Sequence, residues 1–416
     1  MPREREPMTA VRRPRDRKQQ ILAAASELFR EHGYHNISVS DVTARVDITT
    51  SALYRHYRNK NSLLYHAVLA GIESLNESVG GATDLYTLLT TLSATSVERR
   101  GLPLLWQREA RYLDDDQREM LRKKLRVSTT RISELVQVHR SGLSDSDSRL
   151  LAYSILAVFS SSSSHRISMP PRQMEALLFD LSARVALSPI GSADPDVPAA
   201  RTEVISIPVS RREQLLTAAI QLFDERGYRT VSNEDIGAAC GTTGQNVYNH
   251  FDTKLDILST AITRGFDRRD LAVRQALSQV GESSETLGIL LGVHIAFALE
   301  DGHLIGLMAT ELAELPDNTR KACVQAQRDY LELWVRALSE LRPGLDAAEA
   351  KFTVSAAMTL IGNAIRIGSV RRRVDLADRL AEICTALLTE SSDPAASLVG
   401  AVGAAPCLAR NSAPEQ

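Results

Sequence analysis

Cysteine is scarce. The chain of 416 residues has only Cys240, Cys323, Cys384 and Cys407, and no two are close enough to form a two-cysteine ligand pair. That spacing speaks against a disulfide framework and a zinc site and leaves buried or incidental thiols. Long hydrophobic runs are also missing. No stretch has the roughly 20 apolar residues a membrane span needs, and the arginine-rich start lacks the apolar segment of a secretory signal. The chain is therefore expected in the cytoplasm, without a membrane partner. It has no glycine loop to cradle phosphate, no HExxH and no GxSxG, so no cofactor, metal site or catalytic residue is expected, and no enzyme. Net charge is nearly absent too, at -2, and the total says nothing about partners.

The chain does have the composition of a water-soluble globular protein, 44% apolar and 24% charged. Its length suits two to four domains, since one core seldom grows past about 250 to 300 residues. Charge is uneven by region. Residues 1 to 64 hold 12 Lys and Arg against 7 Asp and Glu, with the excess around Arg12, Arg13, Arg15, Arg17 and Lys18. A basic arm of this kind suits phosphate contact, because neutralising phosphates releases counterions, but it is equally the composition of a solvated tail.

The strongest signal is an internal repeat. Arg17 to Leu64 aligns without a gap on Arg211 to Leu258 at a constant offset of 194, and 18 of 48 positions are identical. Weaker similarity continues behind it, with Leu102 to Leu113 resembling Leu304 to Leu315, and the surroundings of His165 and Arg166 resembling those of Ile365 and Arg366. Apolar residues fall at helical spacing, as in Ile21, Leu22, Ala25, Leu28 and Phe29 and again in Leu215, Leu216, Ala219, Leu222 and Phe223. Gly33 and Gly227 end those helices, and Ser210 with Glu213 has capping-box spacing. No alternating strand pattern competes, so the fold class is all-α. The expected domains are a basic flexible arm (1–16), a first reader (17–64), a first helical domain (65–187), a linker rich in Pro, Ser and Ala (188–210), a second reader (211–258), a second helical domain (259–390) and a disordered tail (391–416).

Each reader predicts two short helices joined by a tight turn. In copy one, Ser38 and Asp41 start a helix carrying Val42 and Val46, Asp47 and Ile48 turn, and a second helix runs from Thr49 through Tyr57. In copy two, Ser232, Asp235, Ile236 and Cys240 precede a turn at Gly241 and Thr242, then Thr243 through Phe251. This is the helix-turn-helix arrangement, whose second helix enters the major groove.

These residues resemble the TetR family of regulators. The pattern is carried by Ala24-Ala25, Phe29, Gly33-Tyr34, Ser38, Leu53-Tyr54, His56-Tyr57 and Lys60, and again by Ala218-Ala219, Phe223, Gly227-Tyr228, Ser232, Val247-Tyr248, His250-Phe251 and Lys254. Two copies in one chain are similar to the fused-pair subgroup of mycobacteria and their relatives, which includes repressors of lipid-uptake operons. The resemblance implies that Tyr54, His56, Lys60, Tyr248, His250 and Lys254 face DNA phosphates. It further implies that Thr49, Thr50, Ser51, Ala52 and Arg55, and Thr243, Gly244, Gln245, Asn246 and Asn249, face base edges. Arg55 suits guanine, and Gln245 or Asn246 suits adenine. A plainer role as core stands beside this for Tyr54 and Tyr248, and more strongly for Tyr57 and Phe251. Lys60 and Lys254, taken singly, are as readily solvated charges.

Two departures bear on function. Asp47 stands where the family places glycine, and aspartate tolerates the left-handed conformation such a turn needs. Residues 201 to 258 carry 6 Lys and Arg against 8 Asp and Glu, so copy two should attract DNA less than copy one. Because the two recognition helices differ outwardly, an asymmetric operator is expected. The alternative function is a helical interaction or scaffold protein in which one or both readers have degenerated.

The resemblance also implies a pocket for a small apolar, lipid-like effector and a pairing surface in each helical domain. Candidate pocket residues are Trp106, Tyr112 and Phe159 in copy one, and His294, Phe297, Met308, Trp334 and Phe352 in copy two, though apolar residues at helical spacing are commonly plain core. The pairing segments are Asp147 to His165 with Arg172 to Leu187, and Ala347 to Ile367 with Val374 to Leu388. Their packing within one chain would make an intramolecular pseudo-dimer presenting both readers to one duplex, with further homo-oligomerisation open. The run Ser160 to Ser164 with His165 suits close packing at that seam or a polar pocket, and Arg371, Arg372 and Arg373 suit a solvated loop.

Overall fold

The computed structural model describes residues 14–98, 105–164, 167, 169–190, 210–278, 285–389 and 398, without the side chains of 14–16, 107, 108 and 164. Arg12, Arg13 and the side chain of Arg15 lie outside the described residues, as do His165, Arg166, nearly all of the expected linker, and the tail except Leu398. Among the described residues every regular element is helical. The first half of the chain forms α1 (Pro14–His32), α2 (Val39–Arg45), α3 (Thr50–Tyr54), α4 (Lys60–Gly80), α5 (Leu85–Glu98), α6 (Asp115–His139), α7 (Asp145–Ser164) and α8 (Pro171–Leu187). The second half forms α9 (Arg211–Arg226), α10 (Asn233–Ala239), α11 (Gly244–Tyr248), α12 (Lys254–Leu277), α13 (Thr286–Glu300), α14 (Gly302–Thr310), α15 (Asp317–Leu341), α16 (Ala347–Ala364), α17 (Gly368–Arg371) and α18 (Leu376–Leu388). No single helix among the described residues is long and apolar enough to cross a membrane.

The chain divides into two compact units, and the division does not fall at the expected end of the first reader. One unit is Met1–Leu75 with Gly101–Leu125; the other is Asn76–Arg100 with Arg126–Gln416. The first unit extends past residue 64 because its core does. Ile21, Ala25, Phe29, Val42, Leu53 and Tyr57 pack with Leu63, Leu64, Ala67 and Val68 of α4, and with Leu105, Ala110, Leu113 and Leu121. That last set comes from a π-helical turn (Leu105–Glu109), a 3-10 turn (Ala110–Tyr112) and the start of α6. Backbone chemistry stops α1 where expected, since Gly33 has φ 81 and its N–H bonds to Phe29 O at 2.9 Å.

In the second unit, α9 to α12 repeat this head, with Leu215, Leu216, Ala219, Phe223, Ile236, Val247, Phe251, Ile257 and Leu258 sharing a core with Phe297, Leu304, Leu307 and Met308. The same unit contains a four-helix seam in which α7 packs on α16, α7 on α8, α16 on α18 and α18 on α8. These are the expected pairing segments to within a few residues. The serines serve packing there: Ser160, Ser161 and Ser162 are buried and return their hydroxyls to the carbonyls of Ala157, Val158 and Phe159. Asn363 of α16 donates to Ser160 Oγ at 3.3 Å. One expectation is corrected. Arg373 is not in a solvated loop, because it bonds Asp147 at 2.6 Å and Asp375 at 2.9 Å with its side chain nearly buried. Arg371 and Arg372 are exposed.

Asp47 has φ 52, alone among described non-glycine residues in the left-handed region, and the matching Gly241 has φ 65. Asp47→Val is expected to lower stability by about 1 to 2 kcal/mol, because a β-branched side chain resists that conformation. Asp47→Gly should stay within about 1 kcal/mol of the parent, its steric relief offset by the freer unfolded chain. Urea titration of the full chain measures both, and equal stability of the two variants would refute the strain argument.

Candidate nucleic-acid interface

The two heads share the cap of the first helix and the closure of the turn in their helix-turn-helix units. Ser38 and Asp41 cap α2 reciprocally, as Ser232 and Asp235 cap α10. The serine hydrogen bonds hold both carboxyls below the usual carboxylate range. The turn closes through Ile48 N–H to Thr43 O at 3.1 Å, and through Thr242 N–H to Gly237 O at 2.9 Å. Thr49 accepts from Ala52 N at 3.2 Å to start α3. Thr243 makes no side-chain cap bond for α11.

Each recognition helix is anchored by one inward pair and presents the rest. Leu53 and Tyr57, and Val247 and Phe251, are buried. Lys18 lies 5.9 Å from the centre of the Tyr57 ring and Arg212 lies 4.3 Å from that of Phe251, so a cation covers the anchor in both copies. On the outer side Thr49, Ser51, Tyr54, Arg55 and His56 are exposed, with Thr50 and Ala52 partly so. In copy two Thr243, Gln245, Tyr248 and Asn249 are exposed, with Asn246 and His250 partly so. Tyr54 and Tyr248 are 50% and 51% exposed, so neither is a core residue despite its aromatic ring.

Gly244 departs from this pattern. It is buried, and a Cβ there would stand 2.9 Å from Glu234 Oε1 and 3.0 Å from Glu234 N. It is a helix-crossing contact and presents no atoms to a groove. The lysines also depart from a simple outward phosphate ligand. Lys60 Nζ lies over the Tyr34 ring at 4.2 Å and Lys254 Nζ over Tyr228 at 4.5 Å. Lys254 further donates to Tyr228 O at 3.0 Å and Val231 O at 2.8 Å. Burial lowers its pKa, partly countered by Glu314 and Asp235. Both lysines therefore hold the loop between the first two helices of their head, Lys254 with two of its three ammonium protons.

The copies differ most in charge. Arg55 and Arg58 stand exposed where copy two has Asn249 and Asp252, also exposed. Sequence reasoning used the first of these pairs and missed the second, although the constant offset of the repeat exposes it. Arg17, the first residue of the expected reader and part of the basic cluster, donates to Val46 O at 3.2 Å and so belongs to the folded head. The second head has a tie of its own: Asp224 of α9 accepts from His303 Nδ1 at 3.0 Å and pairs with Arg366, just past α16. Gly306 leaves the room for that carboxylate, since a Cβ there would overlap it.

The eight pocket candidates are buried or packed against buried cores. Trp106 and Tyr112 pack on the core of the first head, where Tyr112 stacks on Tyr34 with centroids 5.6 Å apart. Phe297 and Met308 belong to the core that carries the second head. Phe159 and Phe352 are buried on the seam helices α7 and α16. His294 and Trp334 form an edge-on pair at 5.9 Å, and Tyr330 places its hydroxyl 3.2 Å from His294 Nδ1. Burial, with the charge of Arg269, pushes the His294 pKa down to about 4, so the ring is neutral at pH 7. A separate open cleft of about 300 Å³ is lined by Tyr86, Thr90, Ser93, Arg172, Glu175, Ala176 and Phe179, none of them a candidate from sequence.

The model of the bacterial regulatory proteins of the tetR family matches twice, at residues 21–67 and 215–261. The chain is 34% identical over 77 residues to the HTH-type transcriptional activator FasR of Mycolicibacterium smegmatis, covering 18% of this chain and 35% of that one. It is 30% identical over 131 residues to the HTH-type transcriptional repressor KstR2 of Rhodococcus jostii, covering 31% and 63%. The chain thus spans less than two thirds of each of these curated relatives. Among solved structures, a TetR-family transcriptional regulator from Bordetella parapertussis aligns at 23% identity and TM-score 0.37, over 42% of this chain and 93% of its own.

Proposed function

Because the chain carries the TetR-family DNA-binding domain twice in tandem, we propose that it is a sequence-specific transcription regulator whose two heads read the unlike halves of one asymmetric operator. One observation carries the reading: two capped helix-turn-helix units in a single polypeptide expose different side chains at matched positions, Arg55 against Asn249 and Arg58 against Asp252. Symmetric operators mirror identical recognition helices, and these are not identical. The seam of α7, α8, α16 and α18 supports an intramolecular pseudo-dimer, which supplies within one chain the pairing that a homodimer obtains from two.

The regulator acts as a repressor released by a small apolar, lipid-like ligand. The open cleft bordered by Tyr86, Ala176 and Phe179 offers apolar surface for such a ligand, beside Arg172 and Glu175. A second reading, a helical interaction protein with a degenerate second reader, is favoured only by Asp252 and the acidic balance of residues 201 to 258. Binding of the full chain to fragments of its own genome over a range of salt separates the two. Regulation predicts selected fragments, with affinity falling linearly in log salt as phosphate contacts are screened. No sequence preference at low salt would refute it.

A further inference from the structure

The amides on the second recognition helix are linked in series. Asn246 donates from Nδ2 to Thr242 Oγ1 at 3.0 Å, and Asn249 donates from Nδ2 to Asn246 Oδ1 at 3.0 Å. Thr242 lies in the turn, Asn246 within α11, and Asn249 at its C-terminal cap, so the chain of bonds spans the helix. Asn246 is half-buried and Asn249 exposed. An amide nitrogen carries two hydrogens, and Asn249 uses one of them here. What remains is one N–H beside Oδ1, the donor and acceptor that match N7 and the N6 amino group of adenine in the major groove.

Asn246 is differently placed. Its Oδ1 accepts from Asn249 and its Nδ2 donates to Thr242, so both polar atoms are engaged in the series, and the side chain is half-buried where that of Asn249 is exposed. On sequence Gln245 or Asn246 suited adenine and Asn249 was one base-edge residue among several; the series sets Asn249 apart from Asn246. It also fixes the Asn249 amide before DNA arrives, which removes part of the ordering cost of binding. Copy one has Ile48, Ala52 and Arg55 at the three matching positions, none of which can form such a series. There the guanidinium fork of Arg55 suits guanine. With Asp252 in place of Arg58, the second head has less phosphate attraction to rely on and depends more on its amides for discrimination.

The geometry points to Asn249 as the adenine reader of one half-site, with Asn246 and Thr242 as positioning residues that hold its amide. This rests on the DNA-binding reading above. The test uses the full chain, the duplex that it selects from random sequence, and a panel of single base-pair changes across that duplex. Asn249→Ala is expected to weaken binding to the selected duplex about ten- to a hundredfold. It should also flatten an A·T preference at one base pair of one half-site, leaving the other half-site's preferences intact. Asn249→Arg should move the preference at that base pair toward G·C. Asn246→Ala, which removes no atom of Asn249 but frees its amide, should soften the same preference by less, about three- to tenfold, with the salt dependence unchanged. A merely structural role would weaken all duplexes alike. If Asn249→Ala still binds selectively with the A·T preference unaltered, this inference is overturned and the regulator reading stands. If the unaltered chain prefers no sequence, both fall.

Discussion

Gly237→Ala is expected to destabilise the second head by about 3 kcal/mol while leaving the first head untouched. A Cβ at Gly237 would lie 2.6 Å from Thr243 C, 2.7 Å from Thr243 O and 2.9 Å from Gly244 N. All three are backbone atoms, so no flexible side chain can yield, and α10 and α11 must separate. Overpacking of this kind costs about 1 to 3 kcal/mol and sometimes more. Gly244 makes the reciprocal approach to Glu234. Copy one holds Thr43 and Thr50 at the two matching positions, so Thr43→Ala there should cost only about 1 kcal/mol. Native-state hydrogen exchange resolves the heads: amides of α10 and α11 should lose protection in Gly237→Ala while those of α2 and α3 keep theirs. Unchanged protection of α10 and α11 would contradict the close crossing. The effect reaches function because the recognition helix is positioned through that crossing.

Arg379→Ala is expected to weaken the seam by about 3 kcal/mol, since removing one member of a buried ionic group leaves its partners uncompensated. The Arg379 side chain is 2% exposed and bonds Asp375 at 3.0 Å and Glu382 at 2.9 Å. Arg373 shares Asp375 and reaches across to Asp147 of α7, so the group joins the two halves of the repeat. The hydrogen bond from Arg373, then its charge and that of Arg379, hold the Asp375 carboxyl below its ordinary value. A depressed carboxyl stabilises the fold above its unfolded pKa and loses that contribution as pH falls through the folded value. Stability should therefore stay level from neutral pH down to about 4 and decline below it. In Arg379→Ala the plateau should be lower and the decline below about pH 4 shallower, because Asp375 is then held less far below its unfolded pKa. Urea midpoints between pH 2.5 and 7 measure this; a variant with the parent's plateau and acid limb would refute the role of the group.

Local signals carried far in this chain. The offset repeat located both heads, serine and aspartate spacing gave the caps, and the tolerance of aspartate for a left-handed turn matched Asp47. The seam helices were legible through the family resemblance, which implies a pairing surface in the last two long helices of each half. What was not legible depends on partners distant in sequence. Lys254 looks like an outward charge until Tyr228 O and Val231 O are brought beneath it. Arg373 looks like one of three solvated arginines until α7 delivers Asp147. Gly244 reads as a recognition position by spacing, yet the crossing with α10 turns it inward. The pocket candidates share apolar character, and that alone does not tell a cavity wall from filled core. Trp334 and His294 pack on each other, whereas the open cleft is lined by Tyr86 and Phe179.

The claim that two unlike heads of one polypeptide share one DNA site is tested most directly by footprinting the full chain on its selected duplex and determining how many chains are bound. The account predicts one chain per pair of unlike half-sites, with Arg55→Ala relaxing preference in one half and Asn249→Ala in the other. A palindromic site occupied by two chains, insensitive to every change in α11, would contradict it.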